Sequence, residues 1–179
     1  ELYNALSTAD TKINPATKEV LKYRESLWTG VKIIQQENTI TEKQIQKIFQ
    51  TIKESNSGYR IPTINTVIRK GGSSITSGQI VYTPPRGEGI IEEKMKNWIE
   101  FVNNDQKYKY DPLLKMAISH YQFEAIHPFI DGNGRTARAL FYWLMLRHGY
   151  WLFEYISISE IILEAHAQYG EAFLYTETD

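Results

Sequence analysis

A mainly α-helical domain with one β-hairpin is expected from three features of the chain. Apolar residues recur at three- and four-residue spacing through most of its length. Helix starts are marked by a capping residue followed by proline, at Asn14-Pro15 and again at Asp111-Pro112. A single stretch breaks the rhythm with two β-prone pieces, around 66 to 69 and 79 to 83.

The first helix runs through NPATKEVLKYRESLWTGVKIIQQ, with Val20, Tyr23, Leu27, Val31 and Ile34 on one face. A second opens at Thr41, whose hydroxyl pairs with Gln44 in a capping box. Its apolar face holds Ile45, Ile48, Phe49 and Ile52, and SNSG at 55 to 58 stops it. The hairpin follows, its strands joined by a glycine- and serine-rich link and closed by Pro84 and Pro85. A lone hairpin is marginal in water, so it must lie against the helices. Helices resume over roughly 88 to 103 and again from Asp111, the latter carrying Leu113, Leu114, Met116, Ala117 and Ile118. The segment from about 134 to 148 is apolar around nearly its whole circumference, which places it at the centre of the domain. His148-Gly149 reads as its C-terminal cap. The last helical pattern, SISEIILEAHAQYGEAF, opens with Ser157 and Glu160 as a further capping box. Residues 1 to 60 are expected to form a helical extension packed on a core of residues 61 to 179, as one compact unit.

The 179 residues suffice for one domain with a sizeable core. Apolar residues at 42% and aromatics at 13% argue against general disorder. A net charge of -1 leaves no electrostatic footprint for nucleic acid. The absence of cysteine excludes a disulfide scaffold and thiolate metal sites. No apolar run approaches the ~20 residues of a membrane span. The start, ELYNALSTAD, lacks the basic-then-apolar layout of a signal peptide. The expected location is cytoplasmic, with neither nucleic acid nor a membrane as partner.

Chemistry concentrates in HPFIDGNGR, residues 127 to 135, between two strongly apolar segments. Pro128 biases His127 away from helical dihedrals and ends the preceding helix. Gly132 and Gly134 flank Asn133 and permit close backbone approach to a ligand. The next helix then points its free N–H groups and positive dipole end into the loop, which makes an anion site suited to phosphate. Arg135 and Arg138 are three apart, nearly on one face, and can fork onto polyphosphate oxygens. Asp131 is a hard oxygen ligand suited to Mg²⁺, and His127 can act as a base near neutral pH. A glycine-asparagine-glycine turn or a pair of helical arginines has an ordinary structural reading when it stands alone. Their combination at the start of an apolar helix points to a polyphosphate site on a rigid mount.

HPFIDGNGRTAR resembles, position for position, the signature of Fic-domain proteins, His-x-Phe-x-(Asp/Glu)-Gly-Asn-Gly-Arg-x-x-Arg. HYQFEAIHPF ahead of it and VYTPP after the hairpin are similar to the family's surroundings. NPATKEVLKYRESLWTG is similar to the helical extension of a large bacterial subset. The resemblance implies a Fic-type helical bundle with the hairpin as a flap, about 66 to 83, over an active site at 127 to 138. It implies a bacterial protein adenylyltransferase that transfers AMP from ATP to a Ser, Thr or Tyr hydroxyl of a target protein. On this resemblance His127 is the general base and Asp131 holds Mg²⁺. Gly132, Asn133 and Gly134 line the anion hole, with Asn133 contacting the α-phosphate. Arg135 and Arg138 grip the outer phosphates, and Thr136 and Ala137 fall within the same phosphate-binding run. Phe129 anchors the loop. Val67, Ile68 and Arg69 of the flap hold the target segment by strand addition. Tyr169 stands on the adenine side.

Two departures from the family pattern stand out. No serine or threonine has glutamate four residues later, so the family's inhibitory Ser/Thr-x-x-x-Glu motif is missing from this sequence. The chain is accordingly expected to be cut at both ends, a fragment lacking its inhibitor, or else a member without one. Tyr169 is followed by Gly170, where relatives often have a second tyrosine. Transfer of another phosphate-containing group, phosphorylation through reversed nucleotide binding and a non-enzymatic nucleotide-binding adaptor are the alternatives. A helical metallohydrolase is a further rival, because His120, Glu124 and His127 are spaced i, i+4, i+7. His148 and His166 read as structural or surface residues. A homodimer is compatible with the sequence.

Overall fold

A computed structural model describes residues 15–70 and 78–178. Asn14 as a cap, the link at 71–77 and the Ile34 side chain lie outside the described residues. Seven α-helices and one two-stranded sheet are present among the described residues: α1 (Pro15–Glu37), α2 (Glu42–Lys53), β1 (Ile68–Lys70), β2 (Gln79–Tyr82), α3 (Ile90–Asn103), α4 (Pro112–Ile126), α5 (Asn133–Arg147), α6 (Ile158–Glu164) and α7 (His166–Thr178). A short 3₁₀ turn, Trp151–Glu154, follows α5. The mainly helical fold with a single hairpin is therefore the observed one.

The centre is α5, packed against α1, α2 and α4. Nine of its side chains are buried, including Leu140, Trp143, Leu144 and Met145. A Cβ on Gly30 of α1 would stand 1.1 Å from the Trp143 indole, so only bare backbone fits there. Trp143 Nε1 donates to Leu27 O at 3.1 Å and fixes the crossing of the two helices. On α2, Ile45, Ile48, Phe49 and Ile52 are all buried, and the Thr41–Gln44 capping box forms with both bonds.

Several local expectations shift. Val20 of α1 is 52% exposed, because a helix lying on the outside of α5 covers only part of its apolar stripe. Leu113 and Leu114 of α4 are also exposed, while Lys115, Met116, Ser119, Phe123 and Ile126 turn inward. The final pattern is two helices rather than one, broken at Ala165 (φ -110°, ψ 33°). Ser157 accepts the Glu160 N–H, which is one half of the expected capping box.

The strands pair antiparallel, Ile68 with Tyr82 and Arg69 with Ile80, and a register shift between Ile68 and Arg69 bulges the ladder. Pairing starts at Ile68, so Thr66 and Val67 precede the strand. The hairpin docks where Tyr82 Oη donates to Ala125 O at 3.1 Å, at the C-terminal end of α4. No described helix is long and apolar enough to cross a membrane.

Candidate active site

The loop between α4 and α5 is built from its anchor outward. Phe129 is fully buried, and its ring stacks on Phe49 at 3.9 Å with an interplanar angle of 2°. Asn133 closes the loop: Oδ1 accepts the Phe129 N–H at 2.9 Å and Nδ2 donates to Phe129 O at 2.8 Å. Its amide is thus committed to the backbone and buried. The expected α-phosphate contact cannot come from this side chain, which leaves its main-chain N–H as the group able to make it.

Thr136 and Ala137 are likewise turned to the core, at 0% and 2% exposure, with Thr136 Oγ1 donating to Gly132 O. Their side chains cannot meet a phosphate, since they occupy the face of the first turns that packs inward. Gly132 needs its glycine: φ is +83°, and a Cβ would meet the Lys53 side chain at 3.0 Å. The first intrahelical bond of α5 runs from Thr136 N–H to Gly132 O at 3.0 Å. The N–H groups of Asn133 and Gly134 come before it and have no acceptor among the described residues. With the helix dipole behind them, they are suited to an anion.

His127 leaves α4 as its C-cap in the left-handed region, φ 50° and ψ 57°. Its ring nitrogen Nδ1 lies 3.3 Å from Glu124 O. A carbonyl only accepts, so Nδ1 carries the proton and Nε2 keeps its lone pair. Burial holds the His127 pKa below the ordinary histidine value. The Arg60 charge acts in the same direction, while Glu124 O and Asp131 oppose it. The lowered pKa favours the neutral ring, and Nε2 has no hydrogen-bond partner among the described residues.

Arg138 and Arg135 diverge. Three residues advance a helix by about 300°, leaving the side chains about 60° apart. Arg138 lines a cavity of about 480 Å³ between the flap, α4, α5 and α7, whereas Arg135 does not. Arg138 Nε is buried without a hydrogen-bond partner among the described residues. Arg135 Nη2 instead stands 3.9 Å from Asp131 Oδ2. The cavity is also lined by Ile68, Arg69, Glu124, Gly134 and Tyr169, which brings two of the three predicted flap residues to one wall with Tyr169, while Val67 is not among them. His166, set aside on sequence, lines it as well, while His127 and Asp131 lie outside its wall. A larger cavity, about 650 Å³, lies on the other side of Tyr82 among Trp98, Phe101, Tyr108 and Tyr121. The smaller one is the candidate site, because Gly134 and Arg138 at the start of α5 line it.

Asp131 is two-thirds exposed and pairs with Lys53 Nζ at 2.5 Å, a bond that depresses its pKa. No group of three acidic or histidine ligands occurs among the described residues. A single exposed carboxylate beside an anion site fits Mg²⁺ all the same, since that ion binds through one or two carboxylates together with phosphates. The alternative metal face does not assemble. His127 is off the helix, and His120 Nε2 is hydrogen-bonded to Tyr169 Oη at 2.7 Å.

Sequence reasoning missed Arg60 and Lys53, which reach the loop from 67 and 78 positions away. It also gave Glu124 only a metal role. Burial raises that carboxyl to about 7 even though the Arg138 charge works against the shift.

The Fic/DOC family profile matches residues 38–145, more than half of the chain. This chain belongs to the Fic/DOC family. It is 39% identical over 69 residues to protein adenylyltransferase fic-1 of Caenorhabditis elegans, which covers 38% of this chain and 13% of that protein. It is 32% identical over 114 residues to protein adenylyltransferase Fic of Drosophila mojavensis, covering 62% and 22%. Among solved structures, a Fic family protein from Desulfovibrio desulfuricans aligns at a TM-score of 0.69 and 18% identity. That alignment covers 99% of this chain and 51% of the other. A fragment of C. elegans Fic-1 with the change E274G aligns at 0.67 and 22% identity, covering 94% and 47%. The fold is thus a Fic fold, similar to animal and bacterial proteins alike. The chain spans less than a quarter of the length of these curated relatives and about half of the solved chains.

Proposed function

We propose that this Fic domain transfers the AMP moiety of ATP to a hydroxyl side chain of a protein, releasing pyrophosphate. The observation that carries this is His127, its ring Nδ1 held by Glu124 O, beside a helix start where Gly134 and Arg138 line an open cavity. In the reaction the hydroxyl proton passes to His127 Nε2. The hydroxyl oxygen bonds to the α-phosphorus, and the bond from that phosphorus to the bridging oxygen breaks, so the electron pair leaves with pyrophosphate. The N–H groups of Asn133 and Gly134, with Arg138, hold the phosphates in place. Such a site works by positioning and by charge stabilisation. Asp131 would hold Mg²⁺, which when bound neutralises phosphate charge. Ile68 and Arg69 on the flap offer backbone pairing to an extended target segment, with Val67 leading into the strand. Tyr169 borders the nucleoside end of the cavity.

The test is mass spectrometry after incubation with Mg²⁺-ATP and cell lysate, with His127→Ala in parallel. An AMP adduct that the variant fails to form is the expected result. A phosphate adduct would overturn the proposal in favour of reversed nucleotide binding. ATP binding without any adduct would favour a binding module.

A further inference from the structure

Helix α4 ends with carbonyls that its own helix cannot satisfy, and each of them finds a partner. Phe123 O accepts the His127 N–H, Glu124 O accepts from the His127 ring, and Ala125 O accepts from Tyr82. The remaining one, Ile126 O, and the carbonyl of the cap residue His127 are both met by one side chain. Arg60 Nε donates to His127 O at 2.7 Å, and Arg60 Nη2 reaches Ile126 O at 3.4 Å. The same Nη2 donates to Pro85 O at the exit of the flap. The Arg60 main-chain N–H adds a bond to Pro128 O at 2.8 Å. Arg60 is only 2% exposed, so these bonds form away from competing water.

We propose that Arg60 is the positioning residue of the site: one buried guanidinium ties the histidine-bearing end of α4 to the base of the flap, so that base and target strand hold a fixed separation. This rests on the transfer reaction proposed above. A general base works only within hydrogen-bond reach of the proton it takes, and the target hydroxyl is delivered by the flap rather than by α4. Arg60 bonds to both, alongside the Tyr82 Oη bond to Ala125 O. The planar fork suits the task, because it reaches acceptors on two segments in fixed directions, as an ammonium cannot. His127 sits at positive φ, where a residue other than glycine needs support from its surroundings, and Arg60 holds the carbonyl that defines that turn.

The guanidinium also acts on the imidazole electrostatically. The charged groups that bear on His127 are Arg60 from the loop after α2 and Asp131 from the motif loop, the latter paired with Lys53 of α2. Glu124 of α4 supplies the carbonyl on Nδ1. Arg60 opposes protonation of the ring and so keeps the base in its working form.

The experiment compares wild type, Arg60→Met and Arg60→Lys by three measurements: NMR titration of the His127 ring, hydrogen exchange of the 79–82 amides, and kcat and KM for AMP transfer. Expected for Arg60→Met is an upward shift of the His127 midpoint and faster exchange in β2. A kcat loss of about a hundredfold is also expected, the scale of a 1 Å misplacement, with ATP affinity changed less than about twofold. Arg60→Lys keeps the charge but loses the fork, so it should leave the midpoint near wild type while kcat still falls. Unchanged midpoint, exchange and kcat in a folded Arg60→Met protein would overturn the proposal. If that variant does not fold, Arg60→Lys decides: wild-type exchange and kcat there would overturn it equally. Should wild type transfer no AMP, the functional proposal fails by itself, and the titration and exchange still decide whether Arg60 couples the two segments.

Discussion

The end of α4 and the start of α5 face each other across residues 127–132, and they are finished in opposite ways. Every terminal carbonyl of α4 is bonded to protein, by Arg60, Tyr82 or His127 itself. At the start of α5 the Asn133 and Gly134 amides have no acceptor among the described residues, and Gly132 supplies no side-chain cap. Glycine at this N-cap forgoes only roughly a few tenths of a kcal/mol relative to a capping side chain, so leaving these amides open costs the fold little. On the proposed function, one end holds the base still and the other receives an anion.

The largest expected effect breaks the holding end alone. His127→Ala removes the base and leaves α5 untouched. Transfer should fall by about 10² to 10⁴, the range for general-base catalysis, while ATP affinity stays near wild type. Paired rate and calorimetric measurements check this. A matching loss of ATP binding would mean that the two ends are not separable.

The receiving end is tested by Gly134→Ala. The added Cβ would lie 3.3 Å from both Arg138 Nη1 and Glu124 Oε1, crowding the place where phosphate oxygens approach the amides. About tenfold weaker ATP binding is expected, near 1.4 kcal/mol, with the thermal midpoint barely moved because alanine suits a helix better than glycine. Wild-type affinity would mean that the phosphates lie elsewhere.

The wall between the two ends titrates. Burial lowers His120 to about 4 from an ordinary 6.5 and raises Glu124 to about 7 from 4.5. Below pH 6.5 the unfolded chain protonates His120 while the native state resists, so this histidine removes stability as pH falls from 6.5 toward 4. Glu124 has the opposite sign. Above pH 4.5 its unfolded carboxyl is ionised while the native one keeps its proton, so stability declines as pH rises from 4.5 toward 7. Between 4.5 and 6.5 the two oppose each other, each by at most about 1.4 kcal/mol per pH unit. Glu124→Gln should therefore steepen the rise of stability with pH in that window, and His120→Gln should do the reverse. Urea denaturation at three pH values measures both. Parallel profiles for all three proteins would show that neither group is shifted.

How much of this was legible in the sequence divides along the same line. The receiving end is local: GNGR at a helix start can be read from glycine placement and the helix dipole alone, as can the caps at Thr41, Asp111 and Ser157. Phe129 was legible as an anchor only through the family resemblance, and it is buried against Phe49. The holding end is not local. Arg60 looks like any loop arginine until the chain folds it 67 positions away onto α4, and no periodicity encodes that. Helical rotation explains the other misses. Thr136 and Ala137 share the motif's run but face inward, and Arg135 turns from the cavity that Arg138 lines.

The smallest effect sharpens the boundary between the two ends. Lys53 of α2 occupies Asp131, the carboxylate suited to Mg²⁺. Asp131 is largely exposed, so the pair should contribute no more than about 1 kcal/mol. Because Lys53 depresses the Asp131 pKa, that contribution is present above the ordinary 3.8 and is lost as pH falls through the lowered value. The stability gap between wild type and Lys53→Met should accordingly close in acid, as denaturation curves at neutral and low pH would show. Near neutrality the same variant frees the carboxylate, and half-maximal ATP binding should then need a few-fold less Mg²⁺. A higher Mg²⁺ requirement would reverse the assignment. Lys53 would then be a phosphate ligand rather than a competitor for Asp131, and the receiving end would extend across Gly132 to α2.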